Sequence, residues 1–285
     1  LPWFKPNYLN ILQEDKMSVK IHATAIINPN AEIDENVEIG PYAVIGEEVK
    51  IKSGTYIGPH SILEFAEIGK DNHFTGHAFI GTPPQDYKYN GEKTKIIIGD
   101  NNIIREGVSL HRGSPLTSIT TIGNGCMFMA NSHIGHDCRV GNKVIMVNSS
   151  AASGHVRIED NVTISAFSGL HQFTQIGTLA MLGGGSMVSQ DIIPYVLAQG
   201  DRAKPVGLNI VGLKRAGISR ESIKSIKYVF KTLFLEGHLF TNALKKLKTE
   251  KLLPEAKHML EFCEKSKRGI SRPKSKIKKS EGTDV

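Results

Sequence analysis

Four histidines and one aspartate carry the chemical interest of this sequence. In Asn131-Ser132-His133-Ile134-Gly135-His136-Asp137-Cys138 two imidazoles stand three residues apart, and a carboxylate directly follows the second. His155 lies nineteen residues beyond His136, and His171 a further sixteen. An imidazole steadied by a carboxylate is what a general base needs in order to take up a proton near neutral pH. Histidines stacked on neighbouring turns of a chain would also suit zinc. The residue types alone leave both readings open.

Whatever element positions these groups must be repetitive. Stepping six residues at a time from Ile122 gives Phe128, Ile134, Val140, Met146, Ala152, Ile158, Ile164, Leu170, Ile176, Leu182 and Val188, all apolar. Two residues before each stands a small or β-branched side chain, from Thr120 and Cys126 to Ala180 and Ser186. A period of six fits neither the 3.6 of a helix nor the 2 of a strand, and it predicts a solenoid of very short strands. Glycine recurs just after the inward residue at Gly123, Gly135, Gly141, Gly177 and Gly183, which predicts a positive φ at that corner. His171 occupies the same slot, so its corner is expected to be conformationally unusual.

Taken in order, Leu1 to Lys16 precede Met17, lie outside the periodicity and lack the apolar core of a signal peptide, so a disordered extension or an upstream start is expected at 1–16. The hexads run from Ile21 in step to Leu63, slip by one to Ile68, Phe74 and Ile80, and resume at Ile98. Two insertions interrupt them. One spans Thr82 to Lys95 and contains Pro83, Pro84, Gln85, Asp86, Tyr87 and Lys88; the other spans about Arg112 to Ser118. Insertions in solenoids project from one face and gather binding groups, which singles out Asp86 and Lys88. The solenoid is expected to fill 17–206 and a helical domain 207–270. In the latter, Ser219 suits an N-cap, Ile223, Ile226, Phe230, Leu233 and Phe234 form one helical face, and Gly237 is a stop. Further helices are expected over Thr241 to Leu247 and from Pro254 to Cys263.

The formal net charge of +7 comes from the tail. Between Lys265 and Ser280 there are eight Lys or Arg and no acid, so the remainder is close to neutral, +7 minus 8. A basic disordered segment at 271–285 is expected rather than a nucleic-acid site. Three cysteines without a CxxC point to a reducing, cytoplasmic setting, and no apolar run approaches the ~20 residues of a membrane span.

The motifs His133-Ile134-Gly135-His136-Asp137-Cys138-x-Val140-Gly141-Asn142, Gly154-His155-Val156, His171-Gln172-Phe173, Pro84-Gln85-Asp86-x-Lys88-Tyr89, Ile104-Arg105-Glu106, His111-Arg112-Gly113 and Asn209-Ile210-x-Gly212-Leu213-Lys214-Arg215 together resemble the UDP-N-acetylglucosamine O-acyltransferases, over about Ile21 to Gly269. The resemblance implies a left-handed parallel β-helix of hexapeptide repeats with a C-terminal helical domain, assembled as a homotrimer. It also implies transfer of an (R)-3-hydroxyacyl chain from acyl carrier protein to the 3-hydroxyl of UDP-N-acetylglucosamine, the first step of lipid A synthesis, with no cofactor and no catalytic metal. Carried over by motif, His136 is the general base and Asp137 its support. Gln85, Asp86, Lys88, His133, His155, His171, Gln172 and Arg215 are substrate-binding, the Asp86 loop reaching into a neighbouring subunit's site and Lys88 and Arg215 meeting the diphosphate. Met181 and Gly184 fall in the acyl-length ruler, where a glycine leaves room for a longer chain. Val211 departs from the family by standing where an acid is common. A related N-acyltransferase would need a domain ahead of the solenoid, for which rungs starting at Ile21 leave no room. A γ-type carbonic anhydrase would need zinc on its histidines, and a non-catalytic nucleotide-sugar-binding protein would bind without turnover.

Overall fold

The computed structural model describes residues 18–273. The expected termini at 1–16 and, from residue 274 on, the basic tail lie outside them. Nearly every strand of the solenoid is two residues long and pairs in parallel with the strand one coil above and one below, for example His133↔Ala151 and Ala151↔Gly169. Three sheets result, which make the sides of a triangular, left-handed β-helix of about ten turns. All twelve hexad residues from Ile122 to Val188 are buried, and so is each small residue two places earlier. Each hexad thus sends one large and one small side chain inward, and the small one lets the large ones of three sides meet on the axis.

The corners work differently from expectation. None of Gly123, Gly135, Gly141, Gly177 and Gly183 has a positive φ. That conformation falls two residues later in the hexad, on Asp137, Lys143, Ser149, His155, Asn161 and Phe173 among others. Where glycine follows the inward residue, the coils approach closely. A Cβ on Gly123 would lie 2.5 Å from the Gly141 carbonyl oxygen, and one on Gly135 would lie 2.9 Å from the Gly154 nitrogen. His171, in the same slot, accordingly keeps ordinary backbone geometry.

The interruptions are loops, the strand Lys95–Ile98 closing the first and Ile119–Ile122 the second. The solenoid ends in an antiparallel hairpin, Val196–Gln199 with Lys204–Leu208, which carries no hexad signature. Four helices follow: α1 (Ile210–Arg215), α2 (Arg220–Phe234), α3 (Phe240–Lys248) and α4 (Pro254–Lys265). The Ser219 hydroxyl caps α2 and Pro254 opens α4, as expected; α1, capped by the Asn209 side chain, was not foreseen. Beyond α4 the chain returns to the solenoid. Asp191 N–H donates to the Gly269 carbonyl and Ser271 N–H to the Asp191 carbonyl, both at 2.9 Å. Ser271 is buried and Arg272 lies 4.5 Å over the Phe240 ring, so the first residues assigned to the free tail are packed against the body.

Candidate active site

The histidines gather at the corner between the second and third sheets, where two successive phases of the hexad fall on His136-Asp137, Gly154-His155 and Gln172-Phe173 one coil apart. His136 Nδ1 lies 2.6 Å from Asp137 Oδ2, and the Asp137 side chain is wholly buried. The short insertion closes over this carboxylate: the Ser114 N–H donates to both oxygens, at 3.0 and 3.1 Å, and the Thr117 hydroxyl donates to Oδ1. The Asp137 N–H is itself taken by Thr120 Oγ1 at 2.8 Å, which fixes the left-handed corner. Burial pushes the Asp137 carboxyl up, but the bonds from His136, Ser114 and Thr117 outweigh it and bring the pKa down to about 2. An ionised carboxylate at this distance keeps a proton on His136 Nδ1 and leaves the Nε2 lone pair free to accept another.

Around this pair the imidazoles are held neutral. His155 stands edge-on to His136 with centroids 5.1 Å apart, and Phe173 stacks flat on its other face at 4.5 Å. Burial lowers its pKa, the charges of Asp137 and Asp86 pulling the other way. Burial likewise lowers His133, whose Nδ1 meets Ser109 Oγ at 2.8 Å, and lowers His111, edge-on to it, to about 4. Gly154 makes the cluster possible, because a Cβ there would lie 2.6 Å from the His136 ring.

The remaining expected residues divide. The charge of Asp86 is felt at His155 of its own chain. The Asp86 carboxylate accepts the Lys88 N–H at 3.0 Å in a tight turn, and the Lys88 ammonium lies 5.9 Å over the Tyr87 ring. Gln85, Lys88 and Gln172 are exposed. His171 is not part of the His136 cluster: Arg268 donates to its Nδ1 at 2.8 Å. Beside it runs a groove of about 370 Å³ floored by Ala151, Gly169 and Met187. Met181 is exposed on the first sheet, and a Cβ on Gly184 would touch only the Ala166 carbonyl oxygen, at 3.6 Å. Arg215 is exposed on α1 at a different corner. The helix cap, Asn209, is tied to Leu179 between the third and first sheets. Sequence reasoning missed Ser114, Thr117 and Thr120 as supports of Asp137. The first two lie in a non-periodic insertion, and Thr120 looked like any other small inward residue.

His136, Asp137 and His155 are also the one group of three such side chains, among the described residues, whose ligating atoms lie within 4.8 Å of one another. A zinc ion there would have to displace the proton that His136 shares with a carboxylate already bound by two other donors.

A left-handed solenoid of hexads with an imidazole-carboxylate pair at one corner defines a hexapeptide-repeat acyltransferase. Residues 191–271 match the family model described as Udp N-acetylglucosamine O-acyltransferase, domain 2. The chain is 48% identical to the acyl-(acyl-carrier-protein)-UDP-N-acetylglucosamine O-acyltransferase of Thermodesulfovibrio yellowstonii, over 89% of this chain and 99% of that one. It is 42% identical to the protein of the same name from Aliivibrio salmonicida, over 90% and 98%. The crystal structure of the UDP-N-acetylglucosamine O-acyltransferase of Moraxella catarrhalis RH4 superposes with a TM-score of 0.85 at 39% identity, covering 88% of this chain and 99% of that one. The chain belongs to the UDP-N-acetylglucosamine O-acyltransferase family, and it is an acyltransferase.

Proposed function

We propose that the protein transfers an (R)-3-hydroxyacyl chain from acyl carrier protein to the 3-hydroxyl of UDP-N-acetylglucosamine, in the cytoplasm, as the first step of lipid A synthesis. The observation that carries the chemistry is the buried His136-Asp137 pair with Nδ1 and Oδ2 2.6 Å apart. In this reading His136 Nε2 takes the proton from the sugar hydroxyl as the oxygen attacks the thioester carbonyl, and Asp137 stabilises the imidazolium that forms. The tetrahedral intermediate then expels the carrier's thiolate, which recovers the proton from His136. The Gly154 backbone N–H, next to the imidazole, has no protein acceptor among the described residues and is available to the oxyanion. Direct transfer is favoured over an acyl-enzyme, since burial holds the thiols of Cys126 and Cys138 at about 11 and 12, too high for a thiolate nucleophile.

The outward columns of the three sheets support a homotrimer. The first carries Ile103, Met127, Ile145 and Met181 beyond a polar start at Lys20, Glu38 and His73, the second Ile26, Val44, Ile62 and Phe79 before Ser109 and His133, whereas the third carries Glu32, Lys50, Glu67, Arg139, Arg157 and Gln175 around Ile97 and Thr121. Apolar stretches on two sides and a mostly charged third side suit a threefold assembly with the third sheet outermost. Arg215, at the wrong corner of its own chain, would then complete a neighbour's site and join Lys88 at the diphosphate. His133, His155 and Asp86 line the sugar pocket in this reading. His171, Gln172 and the groove over Ala151, Gly169 and Met187 flank the acyl chain, with Met181 and Gly184 as the ruler.

The test is His136→Ala, assayed for acyl transfer from acyl-carrier-protein thioesters to UDP-N-acetylglucosamine. A fall of roughly 10²-fold or more with an unchanged melting temperature is expected. A folded variant with full activity overturns the mechanism.

A further inference from the structure

The two insertions, which begin 30 residues apart at Thr82 and Arg112, are bound to each other and to the base by one arginine and its neighbours. Arg112 is only 6% exposed. Its Nη1 donates to the Gly81 carbonyl at 2.7 Å, and Nη2 and Nε donate to the Tyr89 hydroxyl oxygen at 2.9 and 3.3 Å. The guanidinium carbon lies 4.5 Å from the centre of the Phe65 ring and 5.5 Å from that of the Tyr89 ring. Tyr89 passes the grip on, donating its hydroxyl to the Glu92 carbonyl at 2.7 Å, while its N–H goes to the Asp86 carbonyl at 2.9 Å. The backbone of the same segment cinches the base of the loop. Arg112 N–H donates to Thr82 and Gly113 N–H to Lys95, both at 3.2 Å. Gly113 can do this only without a side chain, as a Cβ would lie 2.1 Å from the Ile119 nitrogen. One residue further on, the Ser114 N–H and then the Thr117 hydroxyl hold Asp137.

A buried guanidinium with this many partners is not needed to close a surface loop. Its desolvation is offset by the Gly81 carbonyl and by the Glu64 carboxylate, 3.5 Å from Nη1, and its two bonds to Tyr89 tie it to the segment that carries Asp86 and Lys88. We infer that Arg112 is a positioning residue, which keeps the 82–95 loop closed over the His136 corner so that Asp86 and Lys88 meet the nucleotide sugar already in place. The inference rests on the reading of that loop as substrate-binding. Binding to a loop closed only part of the time is weakened by the closed fraction, whereas the chemical step of the bound complex is not. The signature is therefore a rise in KM for the sugar nucleotide with little change in kcat.

The experiment compares Arg112→Met and Tyr89→Phe with the native enzyme, using UDP-N-acetylglucosamine kinetics at saturating acyl carrier protein thioester and backbone hydrogen exchange over residues 83–91. The expected KM rise is about tenfold for Arg112→Met and about threefold for Tyr89→Phe, with kcat nearly constant and loop exchange faster in the same order. An unchanged KM, or exchange as slow as in the native enzyme, overturns the inference. If Arg112→Met does not fold, Tyr89→Phe decides by the same readings. Asp86→Ala separates the two levels. If it too leaves KM unchanged, the substrate-binding reading of the loop fails; if it raises KM while the Arg112 and Tyr89 variants do not, only the role of Arg112 falls.

Discussion

Replacing Asp137 by asparagine tests the proposed chemistry more severely than removing the base, because it changes hydrogen-bonding polarity and almost no volume. In the native site both carboxylate oxygens are acceptors: Oδ2 from His136 Nδ1, Oδ1 from the Thr117 hydroxyl, and the pair together from the Ser114 N–H at 3.0 and 3.1 Å. An amide turned either way sets its NH2 against a donor. With nitrogen in the Oδ2 place it faces His136 and can be accommodated only if the imidazole moves its proton to Nε2, which removes the lone pair that accepts the sugar proton. With nitrogen in the Oδ1 place it faces the straddling Ser114 N–H. The carboxylate's pKa of about 2, against 3.8 for an unperturbed aspartate, corresponds to about 2 to 3 kcal/mol in favour of the charged form, all of which the amide forgoes. Loss of the charge and of the productive tautomer together give an expected fall in kcat of ~10³- to 10⁴-fold, with KM for UDP-N-acetylglucosamine nearly unchanged. The assay is steady-state acyl transfer from acyl carrier protein thioester, with melting and sedimentation as controls on folding and assembly. A folded, assembled Asp137→Asn enzyme within ~10-fold of native kcat would refute the assignment of Asp137 as the group that sets the tautomer of the base.

Further outcomes follow from the same geometry. Gly154→Ala places a methyl 2.6 Å from the His136 ring, so the imidazole must leave its seat, and a kcat loss of ~10²-fold with near-native melting is expected; native kcat would show the ring is not held there in turnover. Mixing Arg215→Ala with His136→Ala subunits should restore part of the activity that each variant lacks alone, since a mixed trimer contains a site with both native residues; no recovery in demonstrably mixed trimers counts against a shared site. His258, 2.8 Å from Glu159, clasps α4 to the solenoid. Its bond to Glu159 raises the His258 pKa, and Glu159 is lowered, burial opposing and the bonds from His258 and Thr178 prevailing. The histidine's contribution is therefore complete below its unfolded pKa and fades as pH rises through its raised one, whereas the glutamate's is lost only as pH falls through its lowered one. Since the pair is about one-third exposed, water screens it to roughly 0.5 to 1 kcal/mol, so His258→Gln should lower the melting temperature most between about pH 5 and 6 and least above pH 8. Equal losses at both ends of that range would exclude the clasp.

Much of the scaffold was legible because a solenoid repeats one decision. Each hexad must send a large and a small side chain inward, and no other common architecture asks for that period, so the phase of every buried residue from Ile122 to Val188 could be read directly. The role of glycine was misread because a sequence shows where it recurs but not whether φ or clearance demands it. Gly123 and Gly135 answer to the carbonyl and nitrogen of the coil above, and the left-handed corner two residues on tolerates Asp137, His155 and Phe173. Helices α2 and α4 were visible from their caps. α1 and the hairpin over Val196–Leu208 were not, since a six-residue helix and a strand reading Lys-Pro-Val-Gly-Leu carry too little periodicity to register.

The candidate site was legible to the extent that it shares the phase of the repeat. His136 and Asp137, Gly154 and His155, and Gln172 and Phe173 occupy the same two hexad positions on three successive coils, so their spacing in sequence is their stacking in space. Whatever departs from the repeat escapes that logic. Ser114 and Thr117 reach Asp137 from an insertion, and Arg112 reaches Tyr89 across 23 residues of chain. His171 sits in phase with glycine slots, yet its Nδ1 is claimed by Arg268, 97 residues away in sequence. In such a fold the repeat supplies the base and its neighbours at fixed heights, whereas polarity, closure and tautomer are set by segments that interrupt the repeat. Substitutions in the two insertions should therefore alter binding and protonation while leaving the coils intact, and substitutions at inward hexad positions should do the reverse.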